Sequence, residues 1–330
     1  MSMFSVAICI PTYNQATYLE AAVRSALAQT HPCEVWVSDD DSTDATPAVM
    51  ARLILQHPQI KYVRQIKNLG IQGNPRWLVS QPGTEYIVRL DSDDKIYPDY
   101  AEKLLKALQG HPTAGYAHAG VQEIDGEGRQ LKLRLLARRT GFQDGEESLR
   151  ASVSGYRVAA NICMFRRAAL KQAGYFRDLS FCEDWDLAVR LADAGWGNAY
   201  VNEVLASYRV WDTADNVRSR RKLAEVEGCR RVIEDSLIPA FSRRDWNPAP
   251  IIKRRRQLAL GHAVCLRWNH FTELEKSELK RALSRLGDSV ALRWKFRWIR
   301  TPLAPWIQMP ATISSGAKAG IKAVLYRRRK

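Results

Sequence analysis

The first half of the chain alternates short apolar runs with longer segments of helical periodicity. The apolar runs, rich in strand-favouring residues, occupy residues 4–10, 34–38, 60–66 and 86–90. The helical segments span residues 16–29, 45–56 and 72–81, and a further one opens at Pro98. Strands separated by helices of about 10–15 residues predict βαβ units. We therefore predict an α/β fold with a doubly wound, mainly parallel sheet and helices on both faces.

Polar clusters follow three of the predicted strands, at the point where each strand ends. They are residues 11–14 (PTYN), 38–42 (SDDDS) and 91–94 (DSDD). The carboxyl ends of parallel strands meet at one edge of a sheet, and ligands of open α/β sheets bind at that edge. The sequence therefore predicts a ligand site built from these three clusters.

The cluster after the fourth strand places three carboxylates within four residues. Asp91, Asp93 and Asp94 repel one another unless they lie in solvent or share a cation. A solvated turn is one interpretation, because Asp and Ser are common turn residues. The other is a divalent cation, since Mg²⁺ and similar ions use one or two carboxylates together with phosphate oxygens of a substrate. The neighbouring polar strand ends favour the cation.

Two further acidic groups leave alternatives open on sequence alone. A carboxylate among residues 39–41 contacts a nucleobase or ribose, or else residues 41–44 simply cap the next helix. Glu183 and Asp184 begin a helix predicted over residues 183–194. They either complement the dipole of that helix or hold a general base at the mouth of the sheet.

The formal net charge of +15 is unevenly distributed along the chain. Residues 1–215 hold 23 basic and 26 acidic side chains, whereas residues 216–330 hold 27 basic and 9 acidic side chains. This asymmetry predicts two domains, a catalytic domain over 1–215 and a basic, mostly helical region over 216–330. The end of the first domain, before residue 210, is predicted to hold two short strands.

The cysteines and the apolar segments indicate the compartment. Six cysteines are scattered without the spacing of a disulfide framework or a zinc site, which favours reduced thiols in the cytosol. No apolar stretch approaches the ~18 residues that span a bilayer, and the first residues are interpreted as a strand instead of a signal peptide. We therefore expect a cytoplasmic protein.

Seven segments, taken together and in order, resemble the family 2 glycosyltransferases, inverting enzymes of the GT-A fold that use nucleotide sugars. The segments are SVAICIPTYNQATYLEAAVRSALAQT, VWVSDDDSTDAT, NLGIQGN, YIVRLDSDD, FRRAALKQAGYF, CEDWDLAVRLADAG and LASYRVW. Together they cover about residues 4–211.

This resemblance implies a role for each matching position. The residues expected to bind the donor nucleotide are Pro11, Thr12, Tyr13, Asp40, Asp91 and Arg209. Asp93, with Asp91, is expected to bind a divalent cation, Mn²⁺ or Mg²⁺, that bridges the diphosphate of a nucleoside-diphosphate sugar. Asp94 is expected to support this loop, and Asp184 to deprotonate the acceptor hydroxyl.

Two departures from the family pattern affect the expected function. Many relatives place a histidine after the Tyr-Arg pair, where this chain has Val210 and Trp211, so metal binding depends more heavily on the aspartates. The Gln-x-x-Arg-Trp signature of processive synthases is absent after Asp184, so we expect a single sugar to be transferred. The expected acceptor is a glycan or glycolipid of cell-surface polysaccharide synthesis, such as lipopolysaccharide (LPS) O-antigen, capsule or exopolysaccharide.

Two other functions compete with this interpretation. A metal-dependent nucleotidyltransferase would share the sheet and the cation, but it expects a basic phosphate loop near the N-terminus, and residues 11–18 contain no Lys, Arg or Gly. A nucleic-acid-binding protein would use the basic region but leave the three acidic strand ends unexplained. We expect no nucleic-acid partner.

The last part of the chain has the composition of a membrane-surface segment. Residues 289–330 contain ten basic and no acidic side chains, and Trp294, Phe296 and Trp298 alternate with cations. This alternation predicts no helical face, yet aromatic rings beside cations favour an anionic membrane surface. We expect peripheral attachment at the inner face of the cell membrane, with a solvated tail or a packed helical cap as the alternative.

Overall fold

The computed structural model describes residues 5–155, 162–179, 181–211 and 221–298. The chain divides into two compact units, Met1–Ile251 and Ile252–Lys330. The domain boundary predicted after residue 215 lies outside the described residues and stays a prediction.

The described strands form one mixed, mostly parallel sheet. They are β1 (Val6–Thr12), β2 (Cys33–Asp39), β3 (Lys61–Arg64), β4 (Tyr86–Leu90), β5 (Lys95–Ile96), β6 (Ala114–Ile124), β7 (Gln130–Arg134), β8 (Gly141–Gln143), β9 (Ile162–Arg166) and β10 (Gly197–Arg209). Their order is β3-β2-β1-β4-β9-β6-β10-β5, with β7 paired to β6 and β8 to β10. The first four strands are parallel, as are β6 and β10, whereas β9 is antiparallel to both neighbours.

Helices follow most of these strands. In the first unit they are α1 (Ala16–Leu27), α2 (Thr46–Gln56), α3 (Gly70–Ser80), α4 (Tyr100–Gly110), α5 (Gly145–Ser152), α6 (Arg167–Ala173), α7 (Glu183–Asp193), α8 (Lys222–Arg231) and α9 (Ile238–Ser242), with a π-helical turn at Val232–Leu237. Helix α10 (Ala249–His262) begins at the end of that unit. The second unit continues with a 3₁₀ turn at Ala263–Arg267, α11 (Glu273–Gly287) and α12 (Val290–Trp298).

The side chains of β1 show why the sheet is covered on both faces. Val6, Ile8 and Ile10 are fully buried in an apolar layer built with α1, α2 and α4. Ala7 and Cys9 are fully buried in the opposite layer, built with α3, α6 and α7. Successive side chains of a strand point to opposite faces, so a strand that is buried throughout must be covered on both sides. The predicted α/β fold with helices on both faces is confirmed.

The last strand of the sheet differs from its prediction. The sequence predicts two short strands before residue 210, but the structure has the single strand β10 there. Asn202 and Glu203, in the middle of β10, are exposed and interrupt the apolar pattern. The register against β6 shifts between Val201 and Val204, which marks a bulge. Backbone pairing continues across a bulge even where the side-chain pattern breaks, so the prediction was wrong.

Residues 292–298 also differ from the prediction, which assigned no helical face to this segment. They form most of α12, where Trp294 and Trp298 lie four residues apart with ring centroids 6.4 Å from each other. Both rings are exposed. Residues 299–330, the rest of the predicted membrane segment, lie outside the described residues. Within the described ranges, no helix combines the length and apolar character that crossing a bilayer requires.

The contact between β10 and β8 leaves no room for a side chain at Gly197. A Cβ atom there would lie 2.1 Å from the carbonyl oxygen of Gln143. We expect Gly197→Ala to lower the free energy of unfolding by about 1–3 kcal/mol, the usual effect of overpacking, in urea denaturation. Gly83→Ala is the control, because no atom lies within 4 Å of its Cβ position. Equal effects of the two substitutions would contradict the close approach.

Candidate active site

A cavity of about 600 Å³ opens at the carboxyl ends of β1, β2 and β4. Because these strands are parallel neighbours, the three polar clusters that follow them lie at the same edge of the sheet. Six of the predicted site residues line this one cavity: Pro11, Thr12, Tyr13, Asp40, Asp91 and Asp93. We call it the donor pocket. The structure therefore brings together residues that are up to about eighty positions apart in the chain.

Asp40 forms a buried part of the pocket wall and fixes the loop before α3. Its carboxylate accepts hydrogen bonds from the backbone N–H groups of Leu69 at 2.7 Å and Gly70 at 2.8 Å. Burial raises the pKa of Asp40, and these two bonds oppose that rise. Gly70 has φ of +82°, a conformation that favours glycine. Asp40 thus positions this loop beside the donor pocket.

The helix-capping role, which the sequence left open as an alternative, is filled by a different aspartate of the same loop. Asp44 accepts a hydrogen bond from the backbone N–H of Thr46, the first residue of α2, at 2.9 Å. Its other carboxylate oxygen accepts from the N–H of Ala16 at 3.1 Å, at the start of α1. Asp44 therefore serves the helix starts, while Asp40 lines the pocket.

Asp94 and Arg209 stabilise the acidic loop that follows β4. Asp94 is buried, and its carboxylate accepts the backbone N–H of Arg209 at 2.7 Å, which is the supporting role predicted for it. Burial, followed by repulsion from Asp93 and Asp91, raises its pKa well above the usual range. The Arg209 guanidinium donates to the carbonyl oxygens of Asp93 at 3.0 Å and Gly126 at 2.9 Å. The structure thus places Arg209 against the loop backbone.

Asp91 and Asp93 are the carboxylates of this loop that reach the donor pocket. Burial, and then repulsion from Asp91, raises the pKa of Asp93. The indole N–H of Trp211 donates to Oδ2 of Asp93 at 3.0 Å and opposes that rise. In the sequence, Trp211 is notable only because many relatives have a histidine at this point of the chain. That pattern does not predict the hydrogen bond to Asp93.

The carboxylate oxygens that line the donor pocket suit a hard divalent cation. Among the described residues, no cluster of three or more His, Cys, Asp and Glu side chains could enclose a metal ion. Two carboxylates that repel one another at an open pocket nevertheless fit Mn²⁺ or Mg²⁺, because such ions complete their coordination with phosphate oxygens and water. Asp91 and Asp93 are the side chains that would hold it.

Arg89 is a site residue that sequence reasoning missed. It is the penultimate residue of β4 and only 6% exposed, with Nε 3.0 Å from Oδ1 of Asp91 and Nη1 3.7 Å from Oε1 of Glu183. Burial lowers the pKa of this guanidinium, but the neighbouring carboxylates outweigh burial and raise it. The signal in the sequence is a lone cation inside an apolar strand, since buried charges require partners.

Asp184 lies in a separate, smaller recess. That recess is lined by Asp184 with apolar residues that include Tyr116, Phe176 and Ala188, whereas Asp184 is not among the residues that line the donor pocket. Its Oδ1 accepts the N–H of Trp185 at 2.7 Å in the first turn of α7. Arg89 connects the two regions, because it lines the donor pocket and contacts Glu183, the residue before Asp184. Burial, and then repulsion from Asp184, raises the pKa of Glu183.

Open α/β sheets bind their ligands beyond the carboxyl ends of the strands, which is where this acidic pocket lies. The family model for glycosyl transferase family 2 matches residues 7–174, and the chain belongs to that family.

Relatives and solved structures agree with this assignment. The chain is 30% identical over 192 residues to a chondroitin synthase of Escherichia coli, a match that covers 58% of this chain and 27% of the synthase. Its fold resembles the crystal structure of S. aureus TarS 1-349 in complex with UDP, with a TM-score of 0.61, 17% identity and coverage of 86% of this chain and 80% of that one. It also resembles the mannosyltransferase PcManGT from Pyrobaculum calidifontis in complex with GDP-Man and Mn²⁺, with a TM-score of 0.56, 18% identity and coverage of 96% and 87%.

These matches differ in what they show. The two structural likenesses, at 17% and 18% identity, show the fold. The chain spans about a quarter of the length of the synthase that it matches. The chain therefore belongs to family 2 of the glycosyltransferases, and its own activity, donor and acceptor are matters of proposal.

Arg89 offers a test of how the site is held together. We expect Arg89→Met to lower the free energy of unfolding at neutral pH by about 3 kcal/mol, because Asp91 and Glu183 lose a shared buried cation. The loss should shrink as the pH falls, since Glu183 has a raised pKa and its protonation removes an uncompensated charge. Urea denaturation at two pH values measures both effects.

The matched control for this test is Arg64→Met. Arg64 pairs with Asp41 at 3.0 Å, but both side chains of that pair are close to half exposed. Exposed ion pairs contribute about 0–1 kcal/mol, so this variant should differ little from the unaltered protein. Equal losses in the two variants, or a loss in Arg89→Met that ignores pH, would contradict the role given to Arg89.

Proposed function

We propose that this protein is an inverting, non-processive glycosyltransferase that moves one sugar from a nucleoside-diphosphate sugar to a glycan or glycolipid acceptor. The observation that carries the proposal is the donor pocket, in which two aspartates suited to a cation lie beside residues suited to a nucleobase. The volume of about 600 Å³ matches that of a small-molecule site.

The donor is bound at the ends of the first strands. The wall formed by Pro11, Thr12 and Tyr13 offers apolar and aromatic surface to the base, and Asp40 retains carboxylate lone pairs beside it. Asp91 is placed for the ribose or the metal. Solved structures of the same fold contain UDP and GDP-Man, which supports a nucleotide-sugar donor without deciding the base or the sugar.

Asp93 and Asp91 bind Mn²⁺ or Mg²⁺ in this proposal. When bound, the cation neutralises the diphosphate and so stabilises the departing nucleoside diphosphate. This chain's own contribution is to hold the two carboxylates in place through Arg89, Trp211 and the backbone bonds of Arg209.

Asp184 acts as the general base on the acceptor. It takes the proton of the acceptor hydroxyl as that oxygen forms the new bond to the anomeric carbon. The bond from the anomeric carbon to the diphosphate oxygen breaks with its electron pair, and the configuration at the carbon inverts. The first turn of α7 holds the carboxylate through the N–H of Trp185.

A relative supports the class of acceptor, and the composition of the basic region supports the location. We propose a role in cell-surface polysaccharide synthesis, at the cytoplasmic side of the cell membrane. The relation to a polysaccharide synthase supports this pathway class. In the described part of the basic region, Trp294 and Trp298 are exposed with their rings near one another, which suits an anionic membrane surface.

The metal assignment is tested by Asp93→Asn. Without metal, the variant should melt about 2 °C higher, because it removes a charge that burial and Asp91 disfavour. The Mn²⁺-dependent rise in melting temperature with a nucleoside diphosphate should be lost, and so should transfer. Differential scanning fluorimetry with UDP and GDP, each with and without Mn²⁺, measures these effects.

The control is Asp245→Asn. Asp245 is exposed and has φ of +51°, a conformation that asparagine tolerates well. This variant should keep the metal-dependent stabilisation. An Asp93→Asn protein that binds nucleoside diphosphate with unchanged Mn²⁺ dependence would refute the metal site.

The general-base role is tested by Asp184→Asn. The side-chain oxygen of asparagine can still receive the hydrogen bond from the N–H of Trp185. We expect turnover to fall about 10²–10⁴-fold, the usual contribution of general-base catalysis, with donor affinity unchanged. Turnover and donor Kd are measured with the donor identified by a screen of nucleotide sugars. An equal loss of donor binding would instead indicate that Asp184 has a structural role at the start of α7.

A further inference from the structure

Another cavity, of about 390 Å³, lies beside the donor pocket. The two cavities share three residues of their walls, one of which is Arg221, so a ligand in one lies next to a ligand in the other. Asp91 and Asp93 line the donor pocket but not this cavity. We call it the arginine cavity, because Arg76, Arg177 and Arg221 line it.

The three arginines come from separate parts of the chain and can be reached from solvent. Arg76 lies on α3, Arg177 lies in the loop between α6 and α7, and Arg221 directly precedes α8. All three residues are exposed. Their N–H groups and their charge are therefore accessible to a ligand that enters the cavity.

The carboxylate that pairs with Arg177 is shared with a second cation. Nη1 of Arg177 lies 3.7 Å from Oδ1 of Asp186, a residue in the first turn of α7. Nε of Arg190 lies 2.7 Å from Oδ2 of the same carboxylate. One negative charge thus serves two guanidiniums, and it compensates Arg177 only in part.

The other two arginines of the cavity have still less compensation. Among the described residues, Arg76 has no hydrogen-bond or ion-pair partner, and Arg221 lies 5.6 Å from the ring of Phe181. The lining contains a single carboxylate, that of Asp178. Together with the shared pair around Arg190, four guanidiniums face two carboxylates. An excess of two positive charges remains in and beside the cavity.

The pKa of Arg190 reflects this excess of positive charge. Burial lowers the pKa of this guanidinium, and the neighbouring Asp186 opposes that effect. Repulsion from Arg177 and Arg76 lowers the pKa further. The guanidiniums are thus close enough to repel one another, and an anion between them would relieve that repulsion.

We propose that the arginine cavity binds a phosphate ester carried by the acceptor, such as a sugar phosphate. Guanidinium N–H groups pair with phosphate oxygens, and an excess of two positive charges suits a dianionic phosphate better than a single carboxylate.

The position of the cavity supports the acceptor as the source of this phosphate. Arg221 joins the cavity to the donor pocket, and Arg177 contacts Asp186, two residues after the proposed base Asp184. A ligand there lies beside both the donor and the helix that carries the base. The assignment to the acceptor rests on the proposed function, whereas the affinity of the cavity for a phosphate ester does not.

The test is binding by the full-length protein in phosphate-free buffer that contains EDTA and no nucleotide. EDTA keeps divalent cations out of the donor pocket, whose carboxylates then repel phosphate. Glucose 1-phosphate, inorganic phosphate and neutral glucose are titrated by calorimetry. We expect glucose 1-phosphate to bind, with or without binding of inorganic phosphate, and glucose not to bind. Binding of inorganic phosphate alone would assign a free anion and overturn the acceptor assignment.

Substitutions of Arg76 place the binding in this cavity, because Arg76 does not line the donor pocket. Arg76→Gln should weaken the binding of glucose 1-phosphate about fivefold or more, since one of three cations is lost. Arg76→Lys keeps the charge and should retain most of the affinity. Lys106→Gln is the matched control, because Lys106 is exposed on α4 and has no ion-pair partner in the described part of the chain. It should leave the affinity within about twofold.

The proposal is overturned if glucose 1-phosphate does not bind, or if Arg76→Gln and Lys106→Gln weaken binding equally, as general attraction to a chain of charge +15 would predict. The melting temperature of each unliganded variant shows that it is folded. Binding of glucose 1-phosphate without sugar transfer from any nucleotide sugar would refute only the proposed function. Sugar transfer by a protein that does not bind glucose 1-phosphate would refute only this inference.

Discussion

A buried cation between two carboxylates is the interaction on which the arrangement of the site depends. Arg89, the penultimate residue of the central strand β4, reaches Asp91 on the acidic loop and Glu183 at the start of α7. A guanidinium that is 6% exposed needs counter-charges, and carboxylates so close together need a cation. Each group therefore fixes the others. The loop of the donor pocket and the helix that carries Asp184 keep one relative position because they share this cation.

The acidic loop after β4 divides its carboxylates between support and binding. Asp94 is buried and bonded to the backbone of Arg209, so it holds the loop. Asp91 is paired with Arg89, and Asp93 receives the indole N–H of Trp211. These partners reduce the repulsion among three like charges without cancelling it, since the pKa of Asp93 remains raised by burial and by Asp91. The loop thus keeps unbalanced negative charge at the donor pocket.

The sequence alone determined the α/β class, the ends of the strands of the first half to within two residues, and six of the residues that line the donor pocket. It could do so because apolar runs of strand length, helical periodicity and polar strand ends are local patterns, and parallel strands bring such ends to one edge. Only the tertiary structure decided the partners. The pairing of Arg89 with Glu183 joins residues 94 positions apart, and that of Arg138 with His118 and Asn198 joins three separate segments. Such contacts depend on the order of strands across the sheet, with β9 between β4 and β6 and β10 beyond them, and local sequence patterns carry no record of that order.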